Sequence, residues 1–114
     1  MPYINLKTNL KLDKTTKIEL LNELTNIISK GLDKPENYIM CSIDDDKYMV
    51  FGNSVDAAMF IELRSIRLPK KETPKLSASL SNFIKNNLNV PKDRIFINFI
   101  NVEPHLWGYN GTTF

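Results

Sequence analysis

A chain of 114 residues is the size of one ordinary domain, and 42% hydrophobic with 25% charged residues suits a protein that buries a core. Fifteen Lys and Arg against 13 Asp and Glu leave a net charge of +2, too even a balance to point to nucleic acid or an anionic membrane as partner. Cys41 is the only cysteine, which excludes an intrachain disulfide, a CxxC redox pair and a cysteine-based zinc cluster. No cofactor or metal is implied.

Taken in chain order, residues 3–8 alternate Ile4 and Leu6 with polar neighbours, as a half-buried strand does. From Ile18 to Gly31 a helical stripe follows, with Leu20, Leu21, Leu24, Ile27 and Ile28 on one side. Thr16-Lys17-Ile18-Glu19 reads as its capping box and Gly31 as its left-handed terminator. Strands are expected at 38–43, 48–51 and 57–66, the first two flanking a solvated turn at Asp44-Asp45-Asp46. Lys70-Lys71-Glu72 reads as a second solvated turn. A second helix begins with Thr73 as N-cap and Pro74 at its first position, and aligns Leu76, Leu80, Phe83, Ile84 and Leu88. After Pro91 the run from Arg94 to Val102 is apolar enough to suggest a strand buried on both faces. The tail from Leu106 to Phe114 predicts a small hairpin or edge strand.

Leu32-x-x-Pro35-x-x-x-Ile39 recurs as Leu88-x-x-Pro91-x-x-x-Ile95, and the same shift lays one helical stripe over the other. The fold class this predicts is α/β: a duplicated β-α-β unit in a single domain, with pseudo-repeats at about 1–56 and 57–114. Right-handed crossovers then place both helices on one face of a four-stranded sheet. The other face, expected to be apolar, is left for further copies of the chain.

Met1-Pro2 stands directly before the first strand. Proline is harmless there as structure, since a strand's first residue can forgo its amide hydrogen. Freed of Met1, it also carries a secondary amine able to act as a base.

Met1-Pro2, Lys34-Pro35-x-x-Tyr38-Ile39, Phe51-Gly52, Ser65-Ile66, the strand from Asp93 to Asn98, and Trp107-Gly108-Tyr109-Asn110-Gly111-Thr112-Thr113-Phe114 form a specific set in their order and spacing. On these the sequence resembles, over essentially its whole length, the macrophage migration inhibitory factor and D-dopachrome tautomerase family. The resemblance implies a homotrimer with a central barrel, active sites between subunits, and keto-enol tautomerase activity on small aromatic α-keto acids such as phenylpyruvate. Pro2 is then the general acid and base. Burial and the charge of Lys34 would lower the pKa of its amine, which as a free α-amino group titrates at roughly 8. Lys34 and the amide of Ile66 would hold the carboxylate or the enolate charge. Asn98, with Phe96 on the same strand face, would reach the substrate from a neighbouring subunit.

Two departures from the family pattern bear on specificity. Phe96 stands where tyrosine is usual, so a hydroxyl is missing, and Tyr109 stands where many members have tryptophan, with Trp107 two residues before it. Ser65 is a further candidate contact, although strand serines are commonly satisfied by their neighbours. Asn98 is expected to be a buried amide that needs a partner. His105 is read as solvent-exposed and Cys41 as a small buried hydrophobe. Ala58-Met59-Phe60-Ile61 lacks the CxxC pair that thiol-disulfide exchange requires, which excludes that activity. The rival reading is a cytokine-like ligand acting on a host cell-surface receptor, with a vestigial pocket. The chain shows neither a secretory signal nor a membrane span, so a cytoplasmic location is expected, or secretion without a signal peptide.

Overall fold

The structure, a computed structural model, describes every residue from Met1 to Phe114. In β1 (Pro2–Thr8) strict alternation sends Ile4, Leu6 and Thr8 to a fully buried face. α1 (Lys14–Leu32) covers that face with Leu20, Leu24 and Ile28, and the chain returns as β2 (Met40–Asp44), parallel to β1. The pattern then repeats through β3 (Met59–Ile66), α2 (Thr73–Leu88) and β4 (Ile95–Val102), with β3 and β4 parallel. Antiparallel pairing of β1 with β3 joins the halves into a sheet of order β2-β1-β3-β4. The tail forms β5 (Gly108–Tyr109) and β6 (Thr112–Thr113), a hairpin turned by Asn110 and Gly111, both at positive φ. No helix is long and apolar enough to cross a membrane.

The duplication extends to the helix ends. Asp33 and Asn89, 56 residues apart, are both left-handed caps at φ 53° and 59°. Each is followed by a proline that opens a single 3₁₀ turn, Pro35 before Glu36–Tyr38 and Pro91 before Lys92–Arg94.

The expected boundaries shift where tertiary contacts intervene. α1 starts at Lys14 because Asp13 is the N-cap, its Oδ1 accepting from the Thr16 amide at 2.7 Å, so Thr16 lies inside the first turn. That hydrogen bond holds the Asp13 carboxyl below its ordinary range. Gly31 is not the terminator but an interior helical residue, and a Cβ there would collide with the Leu76 side chain of α2. Glu72, not Thr73, is the cap residue of α2, while the Thr73 hydroxyl donates to the Lys70 carbonyl. The acidic turn is only partly solvated. Asp45 accepts from the Leu12 amide at 2.9 Å and pairs with Lys17 at 3.3 Å, tying the start of α1 to the end of β2.

Residues 48–51 do not form a strand. Left-handed residues on either side, Asp46 at φ 56° and Gly52 and Asn53 at φ 58° and 61°, turn the chain, and this segment pairs with no strand of the sheet, keeping only a bridge from Phe51 to Ser54. Arg94 holds that loop, its guanidinium donating to the carbonyls of Phe51, Ser54, Asp56 and Ala57.

The sheet face away from the helices is mixed, not apolar. Tyr3, Asn5, Ser42 and Asp44 form a hydrogen-bonded polar centre there, in which Asn5 Nδ2 donates to Ser42 at 2.6 Å and to Asp44 at 3.2 Å. β4 is accordingly buried on one face only in the single chain, with Phe96 57% exposed and Asn98 exposed.

The missing Cβ of Gly31 should register as coupling between the helices. Leu76→Ala alone should cost about 2–5 kcal/mol as a large-to-small core change. In a Gly31→Ala background it should cost less, by about 1 kcal/mol, because the added methyl takes up part of the cavity. Chemical denaturation of the four proteins of the cycle measures this, and additive losses would contradict the contact.

Candidate active site

Pairing at the sheet centre decides where the chain begins. Pro2 lies opposite Ser65, so Met1 arrives at the end of β3 beside Ile66. From the other side, the left-handed Asp33 turns the chain out of α1 and delivers Lys34 to the same place. Ser29 fixes that turn twice, its carbonyl accepting from the Lys34 amide at 3.1 Å and its hydroxyl donating to the Lys34 carbonyl.

Two adjoining chambers result, sharing Met1 and Tyr38. One, of about 620 Å³, is walled by Pro2, Tyr3, Tyr38, Met40, Trp107 and Tyr109, with Arg64 at its edge. The other, of about 440 Å³, is lined by Lys34, Pro35, Ile66, Arg67, Pro104 and Phe114. The tail hairpin supplies the aromatic wall. Tyr109 meets Tyr38 edge-on at 5.9 Å and stacks on Phe114 at 5.5 Å.

The α-amino group of Met1 is held below its ordinary pKa, first by partial burial and then by the like charge of Lys34. An amine at this spot is therefore neutral at a lower pH than one in water. Pro2 itself is fully buried.

The fold gathers Pro2, Lys34, Ile66, Trp107 and Tyr109 around the chain start. Ser65 lies opposite Pro2 but lines neither chamber, and Phe96 and Asn98 of the same chain lie away from Pro2. Ser65 is fully buried and donates its hydroxyl to the Ile66 carbonyl at 3.1 Å. Asn98 pairs with Glu62 and Phe96 with Phe60, roughly 10 and 17 Å down the strands from the level of Ser65. Phe96 packs on Phe51 at 4.5 Å instead. In the single chain Asn98 is exposed, on the open face of the sheet. His105 is exposed and faces Glu103 at 3.2 Å. Cys41 is half-buried against the core, and burial raises its thiol pKa while a hydrogen bond with Thr25 partly opposes this.

Tyr3, Met40, Arg64 and Arg67 line the chambers without having been singled out from the sequence. Tyr3 and Arg64 face each other across β1 and β3, a pairing that no local pattern announces. No group of three His, Cys, Asp or Glu side chains is placed to hold a metal ion.

A duplicated β-α-β sheet with two helices on one face, and a proline leading into its central strand, defines the α/β tautomerase fold. The family model for macrophage migration inhibitory factor (MIF) matches residues 1–114, and the chain belongs to that family. It is 33% identical to the macrophage migration inhibitory factor of Xenopus tropicalis, over 100% of this chain and 99% of the relative. A homolog from Brugia malayi is 30% identical over the same shares. Among solved structures, the Prochlorococcus marinus homologue superposes with a TM-score of 0.92 at 34% identity, covering 98% of each chain. That of Trichinella spiralis gives 0.90 at 32%, covering 98% of this chain and 99% of the other. Membership supports tautomerase- and cytokine-like function in general.

Removing the Lys34 charge should move the amine at the chain start back toward its ordinary pKa, leaving only the effect of burial. Lys34→Ala should therefore raise its titration midpoint, measured by NMR of the N-terminal residue. Because the folded amine titrates below the unfolded one, the folded state binds fewer protons between the two midpoints. Stability gained from this group consequently rises with pH there, and the window narrows in the variant. An unmoved midpoint would place Lys34 too far away to act.

Proposed function

We propose that the protein is a keto-enol tautomerase of the phenylpyruvate type, with Pro2 as general acid and base once Met1 is removed. The observation that carries this reading is the amine at the chain start, that of Met1, held toward its neutral form by partial burial and by Lys34 where the two chambers meet, with Pro2 in the wall of one of them. With Met1 attached, the Pro2 nitrogen is an amide and has no useful basicity. Freed, it takes a proton from the carbon next to the substrate carbonyl, leaving an enolate, and then returns the proton to the enolate oxygen or carbon. Lys34 and the Ile66 amide hold the carboxylate and the developing negative charge. Trp107, Tyr109 and Tyr38 enclose the ring.

The assembly we propose is a trimer in which Phe96 and Asn98 of one chain complete the site of the next. Their distance from Pro2 within one chain supports this, as do exposed apolar side chains beyond the sheet edge, with Tyr48 fully exposed and Val50 71% exposed. A cytokine-like role outside the cell is the second reading, favoured by the names of the relatives from Brugia malayi and Xenopus tropicalis. Receptor binding retained by a catalytically dead variant would separate the two.

Intact-mass measurement of the native protein should find it lighter by one methionine. Pro2→Gly should then reduce kcat/KM for phenylpyruvate by about 100-fold or more, the low end of what a positioned base contributes. Circular dichroism should show the fold retained, and undiminished turnover would remove the basis of the proposal. Sedimentation equilibrium should give three times the 13.1 kDa of one chain, and Val50→Asp should shift the protein toward smaller species. A monomer with full activity would refute the shared site.

A further inference from the structure

We infer that Arg67 makes the chamber beside Lys34 a site for dianions, and that the preferred substrate is a 2-oxo acid bearing a second carboxylate. The reaction part rests on the tautomerase reading, whereas the binding part stands without it. Lys34 and Arg67 line one cavity of about 440 Å³ to which no acidic side chain contributes. Neither has an ion-pair partner: the three pairs of the chain are Lys17 with Asp45, Arg64 with Glu62, and His105 with Glu103. Arg64, in the neighbouring chamber, has its charge answered by Glu62 at 3.2 Å, so the unanswered positive charge is confined to one side of the site.

Arg67 is also held in place by its backbone. It adopts φ 54°, a left-handed conformation that glycine occupies most easily and that a long side chain rarely takes. The residues on either side are anchored. Ile66 is buried at the end of β3, and Leu68 is buried with its amide donating to Asn101 Oδ1 at 2.9 Å. Backbone strain at the rim of a cavity, held from both sides, is the kind of outlier from which a functional role is inferred. The planar guanidinium of Arg67 offers paired donors to a carboxylate, where the Lys34 ammonium acts as a point charge. One carboxylate satisfies Lys34 and the Ile66 amide. Arg67, next in the chain, is left to bind a second one nearby, which favours short 2-oxo dicarboxylates over phenylpyruvate.

The test compares oxaloacetate with phenylpyruvate as tautomerisation substrates in wild-type protein and in Arg67→Gln. The variant should lose at least about tenfold more kcat/KM on oxaloacetate than on phenylpyruvate, in line with loss of a charge-assisted pair. Equal losses, or none, would overturn the proposal. Calorimetric titration with malonate and acetate reads binding without turnover. Wild-type protein should prefer malonate by at least about tenfold, Arg67→Gln and Arg67→Gly should lose that preference, and Arg67→Lys should regain part of it. A glycine variant that keeps the preference would assign Arg67 a backbone role only and refute the inference. Protein that turns over neither keto acid but binds malonate through Arg67 would sink the tautomerase reading and leave the dianion site standing.

Discussion

Seven residue pairs between β1 and β3, from Pro2 opposite Ser65 to Thr8 opposite Met59, hold the two β-α-β units together and place everything else. This antiparallel seam is the only strand pairing between the halves. Its register is constrained because a one-residue slip would turn Ile4 and Leu6 out of the core and Asn5 into it. The same register sets the chain start against the end of β3. Core packing and the placement of a reactive amine are thus one constraint, not two.

Around that seam, the ends of the helices do the positioning. Asp33 and Asn89 end their helices in the same left-handed turn, but only the first has been put to use at the site. Ser29 clamps the backbone of Lys34, so a flexible side chain departs from a rigid base. In the second half the position equivalent to Lys34 is Val90, fully buried in the core, and the position equivalent to Tyr38 is Arg94, which pins the 51–57 loop through four carbonyls. Duplication supplied two similar corners, and different side chains made one a binding wall and the other a brace.

The electrostatics of the chambers follow the same division of labour. Carboxylates answer Arg64 and Lys17, while Lys34 and Arg67 keep their charge for a ligand. The Lys34 charge beside the chain start also disfavours the protonated amine. Anion binding and the readiness of the base are consequently coupled. A bound carboxylate would neutralise Lys34 and raise the affinity of the amine for the proton it must carry.

From the sequence alone came the elements that depend on nearest neighbours: the period-2 pattern of β1, the helical stripes, the small hairpin in the tail and the repeat marked by Pro35 and Pro91. The family pattern around Pro2, Lys34 and Trp107 was legible there too, because it is a matter of order and spacing. Helix boundaries were less so. Gly31 looks like a terminator until Leu76 of the other helix is seen to need its missing Cβ, and the segment at 48–51, bounded by left-handed residues at Asp46 and at Gly52-Asn53, joins no strand of the sheet. Tertiary structure alone decided that Ser65 spends its hydroxyl on Ile66, that Asn98 and Phe96 lie far down the strands from Pro2, and that Arg67 shares a cavity with Lys34. Those outcomes follow from pairings between distant segments, and local pattern holds no information about which side chains such pairings bring face to face.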